Sequence, residues 1–172
     1  FQFPGKWVLF FFVLLTLLRD LQQRAPVRFD LVAAVLNQRG PDFPEAVLLR
    51  YLDDLGQPHH LIRKATAGIV RSKLAEGCPA CALCSRLRRG ILYTEARALG
   101  CTKIALGHHA DDILETFLLN FMFNGTLKAM PPVLVSDDGA NTVIRPLAYC
   151  READIAAFAE AMRYPIVPGS GC

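Results

Sequence analysis

The segment Leu106-Gly107-His108-His109-Ala110-Asp111-Asp112-Ile113-Leu114-Glu115-Thr116 constrains the fold of this chain more than any other. Thr102 to Leu106 is short and apolar, Gly107 breaks it, and Asp111 and Asp112 stand where a first helical turn favours carboxylates. Ile113, Leu114, Phe117, Leu118 and Phe121 then repeat at helical spacing and predict a helix with a core face. A strand that ends in a polar turn and runs into a helix is a unit of α/β architecture, where ligands gather at the carboxyl ends of strands. Taken alone, the two aspartates read equally well as helix caps and the two histidines as structural groups. Their shared position at a strand end favours a binding site.

The rest of the chain alternates in the same way. Phe29 to Val35 reads as a buried strand, Phe43 to Leu55 as a helix, and His59 to Ile62 as an edge-like strand. Leu83 to Leu99 reads as a long helix and Val143 to Leu147 as extended. Ile155, Phe158 and Met162 set the spacing of a helix over Glu152 to Met162. Met130-Pro131-Pro132 and Ser136-Asp137-Asp138-Gly139 punctuate a loop. The expected fold is α/β, a mostly parallel sheet with helices on both faces, forming a single domain over 1–172 without repeat or linker. With 172 residues and 52% hydrophobic content, such a domain buries a core without disulfides. The six cysteines therefore need not be a disulfide framework, and their clustering fits a reducing, cytoplasmic setting.

Cys81 and Cys84 form a C-x-x-C, and Cys78 extends it to C-x-x-C-x-x-C. This spacing suits an iron–sulfur cluster or a zinc ion, and Cys78-Pro79-Ala80-Cys81 also resembles a thiol–disulfide exchange motif. Cys101 and Cys150 sit beside apolar segments, as small buried hydrophobes do. The net charge of +3 neither demands nor excludes RNA. Local clustering says more, because Arg86, Arg88 and Arg89 lie within one helical turn beside the thiols, with Arg71 and Lys73 before them. They form either a phosphate-pairing patch or an ordinary solvated face.

Several longer strings carry a resemblance. Cys81 to Gly90, Leu106 to Thr116, Leu127 to Pro132, Ser136 to Gly139 and Ile144-Arg145-Pro146-Leu147-Ala148-Tyr149 closely resemble the tRNA 2-thiocytidine synthetase family of PP-loop ATP pyrophosphatases. Weaker likeness runs through Leu21 to Val27 and Phe43-Pro44-Glu45. The resemblance implies an adenine-nucleotide alpha-hydrolase-like, Rossmann-like fold. It implies an ATP-dependent tRNA-cytidine 2-sulfurtransferase that forms 2-thiocytidine in the anticodon loop. It makes Cys81, Cys84 and Cys172 the ligands of a [4Fe-4S] cluster, with Cys78 an extra thiol. Asp111 and Asp112 become the catalytic pair contacting Mg2+ and nucleotide, Gly107, His108 and His109 cofactor-binding residues at the ATP site, and Arg86, Arg88 and Arg89 the tRNA contacts. The implied partners are tRNA and a cysteine desulfurase as sulfur donor, with no membrane and room for a homodimer. Family chains also continue past the position of Cys172.

The N-terminus departs from that family. Its Ser-Gly-Gly-Lys-Asp-Ser phosphate loop should fall on Lys6-Trp7-Val8-Leu9-Phe10-Phe11, where bulky apolar side chains stand instead, and Gly5-Lys6 is a weak remnant out of register. Asn37 stands where the family is expected to have aspartate, and Gly169 replaces a cysteine in Pro168-Gly169-Ser170-Gly171-Cys172. Trp7 to Leu18 can be read as the apolar run of an export signal, but it is short for a span of roughly 20 residues and lacks a small-residue cleavage site. A buried strand followed by a helix is the expectation for it. Two further functions stay open: a non-catalytic metal- or RNA-binding remnant, and a thiol–disulfide or zinc protein.

Overall fold

The computed structural model describes residues 6–37, 43–64 and 80–165, with side chains from 8 onward in the first segment and from 83 onward in the third. Helix α1 (Lys6–Arg24) opens the fold. Strand β1 (Ala33–Asn37), helix α2 (Glu45–Asp54) and strand β2 (His59–Arg63) follow, then the long helix α3 (Ala80–Ala98). The last part comprises β3 (Ile104–Ala105), α4 (Ala110–Asn124), β4 (Val133–Val135), β5 (Thr142–Ile144) and α5 (Glu152–Ala161).

The expected strand and helix within residues 7–18 is instead one continuous helix. No glycine or proline interrupts the chain from Lys6 to Arg24, and an all-round apolar stretch is stable as a helix when it is buried on several sides. Burial outweighs the strand preference of its Phe and Val residues. Val8 and Phe12 are wholly inaccessible, and Val13, Leu14 and Leu15 are nearly so. The Phe12 ring lies 4.4 Å from that of Tyr51 and 5.4 Å from that of Tyr164, whose hydroxyl donates to Thr16 Oγ1 at 2.7 Å. These contacts tie α1 to α2 and to the chain after α5. Leu48 and Leu52 of α2, Val35 of β1, and Ile155 and Ala159 of α5 complete the core. Among the described residues no helix is long and apolar enough to cross a membrane.

The strands form two small sheets rather than one. In the first, β1 and β2 pair in parallel from Ala33↔His59 to Asn37↔Arg63, with α2 as the crossover. Pairing begins at Ala33 rather than Phe29 because side chains claim the preceding carbonyls: Gln22 Nε2 donates to Phe29 O and Gln57 Nε2 to Leu31 O. In the second, β5 is central, parallel to β3 and antiparallel to β4. Strand β4 falls within the expected loop, whereas β5 overlaps the start of the stretch expected to be extended from Val143. The β4–β5 hairpin turns at Gly139, whose φ of 69° suits glycine, and closes with Ser136 N to Asn141 O at 2.8 Å.

Candidate functional site

The carboxyl ends of β3 and β5 lie side by side, and the chain after each supplies the candidate polar groups. Leu106 N donates to Ile144 O at 2.9 Å, which holds Gly107-His108-His109 against Arg145-Pro146-Leu147. His109 is the N-cap of α4, and it is 3% exposed. Its Nδ1 accepts from Asp112 N at 3.4 Å, and Asp112 Oδ2 accepts from His109 N at 2.9 Å, a reciprocal capping box. Three carboxylates surround the ring: Nδ1 lies 3.6 Å from Asp111 Oδ2, and Nε2 faces Asp112 Oδ2 at 3.4 Å and Glu152 Oε2 at 4.0 Å.

Asp111 serves a second helix. Arg151, the N-cap of α5, makes no side-chain cap, and Asp111 Oδ2 instead accepts from Glu152 N at 2.7 Å. Ala110 N adds a bond to Cys150 O at 2.9 Å. Asp111 thus locks the start of α5 to that of α4, while Asp112 closes the start of α4 itself, each using one oxygen on a backbone N–H. A carboxylate so placed still has lone pairs for a ligand. Among the described residues no group of three or more His, Cys, Asp or Glu side chains is placed to hold a metal ion.

The thiol and arginine candidates lie on α3. Positions 81 and 84 share its first turn and one face. Cys84 is a half-buried free thiol, whereas the Cys81 side chain, Cys78 and Cys172, like Arg71 and Lys73, lie outside the described residues. The donor chemistry fits a thiolate-held cluster at this turn. Arg86, Arg88 and Arg89 are exposed along the same helix. Cys101 and Cys150 are half-buried free thiols.

The ATP that the resemblance implies does not fit the residues beside Gly107. Where the family has a glycine-rich turn, α1 is already helical, so its backbone N–H groups after the first turn are engaged within the helix. Phe10 of that helix lies directly on Gly107: a Cβ on Gly107 would meet Phe10 Cβ at 3.2 Å and Phe10 O at 3.4 Å. The Phe10 ring also packs against His109, with 4.6 Å between ring centroids. Asn37, in place of the expected aspartate, donates from Nδ2 to Glu45 Oε2 at 2.7 Å, and Glu45 also pairs with Arg63.

Sequence reasoning missed one residue here. Arg145 is 9% exposed; its Nη1 donates to Pro131 O at 2.6 Å, while its buried Nε has no partner. The half-buried His108 likewise leaves Nδ1 buried and unpartnered. Burial, then the Arg145 charge, holds His108 below the ordinary imidazole range. The available signal was a charged residue inside the apolar run Val143 to Leu147, a place where arginine is rarely found without a partner.

No protein-family model matches the chain. It is 59% identical over 161 residues to the tRNA-cytidine(32) 2-sulfurtransferase of Pectobacterium carotovorum subsp. carotovorum (strain PC1), covering 94% of this chain and 52% of that protein. The enzymes of the same name from Shewanella oneidensis and Pectobacterium atrosepticum are 56% and 58% identical over the same shares. The chain spans about half the length of the curated relatives it matches. Among solved structures, the U34-tRNA thiolase NcsA from Methanococcus maripaludis with its [4Fe-4S] cluster superposes with a TM-score of 0.71 at 21% identity. That match covers 99% of this chain and 57% of the other, a likeness of fold that agrees with the expected α/β, PP-loop type. With identity above half across nearly its whole length, this chain is similar to the tRNA-cytidine(32) 2-sulfurtransferases over about half of their length.

Proposed function

We propose that this chain acts in tRNA thiolation, forming 2-thiocytidine in the anticodon loop with sulfur delivered through a [4Fe-4S] cluster. The observation that carries the reading is α3, which sets a C-x-x-C pair in its first turn and three exposed arginines in the next, within a chain 56–59% identical to enzymes named for this reaction. Cys81, Cys84 and Cys172 would hold the cluster, and when bound it supplies sulfur for the cytidine. Arg86, Arg88 and Arg89 contact tRNA phosphates. Gly107, His108 and His109 shape the polar end of the sheet, with Asp111 and Asp112 as the acidic pair beside it. A cysteine desulfurase is the sulfur donor and the cytoplasm the compartment, in keeping with the free thiols Cys84, Cys101 and Cys150. A homodimer is the proposed assembly.

A second reading is favoured by Phe10. Activation of the cytidine by ATP and Mg2+ needs a phosphate cradle, and α1 offers apolar side chains where that cradle stands in the family. On this reading the chain keeps the cluster and tRNA surface without nucleotide chemistry. One experiment separates the two: anaerobically reconstituted protein is titrated with ATP and magnesium by calorimetry, its iron content and visible spectrum are recorded, and tRNA incubated with it is digested and searched for 2-thiocytidine by mass spectrometry. Thiolated tRNA together with ATP binding establishes the enzyme. A cluster and tRNA binding without ATP binding establishes the second reading, and absence of both cluster and tRNA binding defeats both.

A further inference from the structure

Arg145 is a charged group that the fold buries without a counter-charge. Among the described residues no carboxylate pairs with it, its Nε is sealed from solvent without a partner, and its one hydrogen bond runs to the carbonyl of Pro131. A guanidinium cannot shed its proton, so burial alone leaves it strongly unfavourable. Tyr93 partly offsets the burial of Arg145 and Asp112 partly offsets that of His108, but the neighbouring cations act against both. Arg89 of α3 acts on both Arg145 and His108, and the Arg145 charge also acts on His108. The three groups grade from buried Arg145 through half-buried His108 to exposed Arg89; Arg145 and His108 follow the ends of β5 and β3, which run in parallel, and Arg89 of α3 is near enough for its charge to act on both. The unpartnered Arg145 Nε and His108 Nδ1, with the Arg89 charge beyond them, are complementary to an anion from outside the chain.

We propose that Arg145, with His108 and Arg89, forms an oxyanion site at the carboxyl ends of β3 and β5, and that its ligand is a phosphate group. The planar guanidinium fork matches phosphate oxygens, and the ligand charge neutralises the buried cation. The phosphate can belong to RNA or to a free nucleotide. Continuity with the arginines of α3 links the site to RNA, and that part rests on the tRNA reading above. The oxyanion site itself does not.

The test uses the full chain. Thermal midpoints are measured with rising inorganic phosphate and pyrophosphate at constant ionic strength, for the native protein and for Arg145→Gln. The native midpoint rises with the anion, whereas Arg145→Gln keeps its far-ultraviolet spectrum and loses the rise. A purely structural arginine predicts the reverse, a lower midpoint in the variant and no anion response in either protein. Should Arg145→Gln fail to fold, Arg145→Lys retains the charge without the fork and gives a reduced rise. Binding of an anticodon stem-loop at several salt concentrations then identifies the source. With RNA as ligand, Arg145→Gln weakens binding roughly tenfold and flattens the slope of log K against log salt by about one phosphate contact. An unchanged RNA slope with a lost anion response assigns the site to a free or nucleotide phosphate. No anion response and no change in RNA binding overturn the proposal. A native protein that binds no tRNA yet still responds to phosphate defeats the tRNA reading and leaves the oxyanion site standing.

Discussion

Helices α1 and α4 are both rich in apolar residues, and the fold uses them in opposite ways. In α1 five consecutive-turn residues, Val8, Phe12, Val13, Leu14 and Leu15, are buried, and the helix is the centre of the core. In α4 no residue is fully buried, and Leu114, Leu119, Phe121, Met122 and Phe123 are exposed. The first stands where the resemblance would place a phosphate loop and is packed into the core; the second has a polar first turn tied down by His109, Asp111 and Asp112. Apolar composition alone thus says little about which helix holds the domain together. What decides is whether neighbouring elements close over it.

The largest effects should expose that contrast. Phe12→Ala removes a wholly buried ring in contact with Tyr51 and Tyr164 and should lower unfolding free energy by about 3–5 kcal/mol. Phe123→Ala, at a side chain 77% exposed, should stay within roughly 0.5 kcal/mol. Urea unfolding of the two variants decides the matter, and similar losses from both would show that α4 is packed after all. Gly107→Ala comes next, because its methyl group would press on both Phe10 Cβ and the Phe10 carbonyl. A loss of about 1–3 kcal/mol is expected, and in a double-mutant cycle Phe10→Gly, which removes the Phe10 Cβ, should offset part of the Gly107→Ala effect if that contact is the cause.

Smaller changes follow at the anchored turn. Asp112→Ala opens the capping box, and Asp111→Ala leaves Glu152 N without its acceptor. Each should cost about 1 kcal/mol, and the Asp111 variant should loosen amide protection at the start of α5, to which that bond ties it. Hydrogen exchange at Glu152 is the direct readout. If exchange there is unchanged, the carboxylate is not the cap of α5 and its role lies wholly with a ligand.

Much of this was legible in the sequence where a local signal had a single physical meaning. Gly107 ends a strand and two aspartates begin a helix, so β3 and α4 were foreseen, although His109 rather than an aspartate is the cap. Regular apolar spacing likewise placed α2 and α5. Helix α1 was misread because Phe and Val favour strands when nothing is known of their surroundings, and its buried setting is a tertiary fact. Strand β4 hid among turn residues, since Val133 and Val135 are exposed and give no core signal, although its partner β5 was foreseen in part from Val143. Arg145 was passed over inside a matching string, because its meaning lies in burial without a partner. Whether Cys81 and Cys172 meet Cys84 is likewise a matter of tertiary placement, beyond what spacing in the chain can show.

The smallest expected effect concerns the first sheet, where Asn37 replaces an expected aspartate. Arg63, and after it Asn37, hydrogen-bonds Glu45 and holds its carboxyl below the ordinary range. A carboxyl lowered in the folded state contributes stability that is present above its unfolded value, about 4.3, and is lost as pH falls through the folded one. Glu45→Gln should therefore be less stable than the native protein near neutrality, and the gap between their urea midpoints should close on acidification below about pH 4. Asn37→Asp should raise the Glu45 value by replacing a donor with a like charge, moving that loss to higher pH. This couples the departure at residue 37 to its partner at 45: a neutral donor there hydrogen-bonds the Glu45 carboxylate without setting a like charge beside it. If Asn37→Asp left the pH profile of stability unchanged, the two positions would be independent and the asparagine would need another explanation.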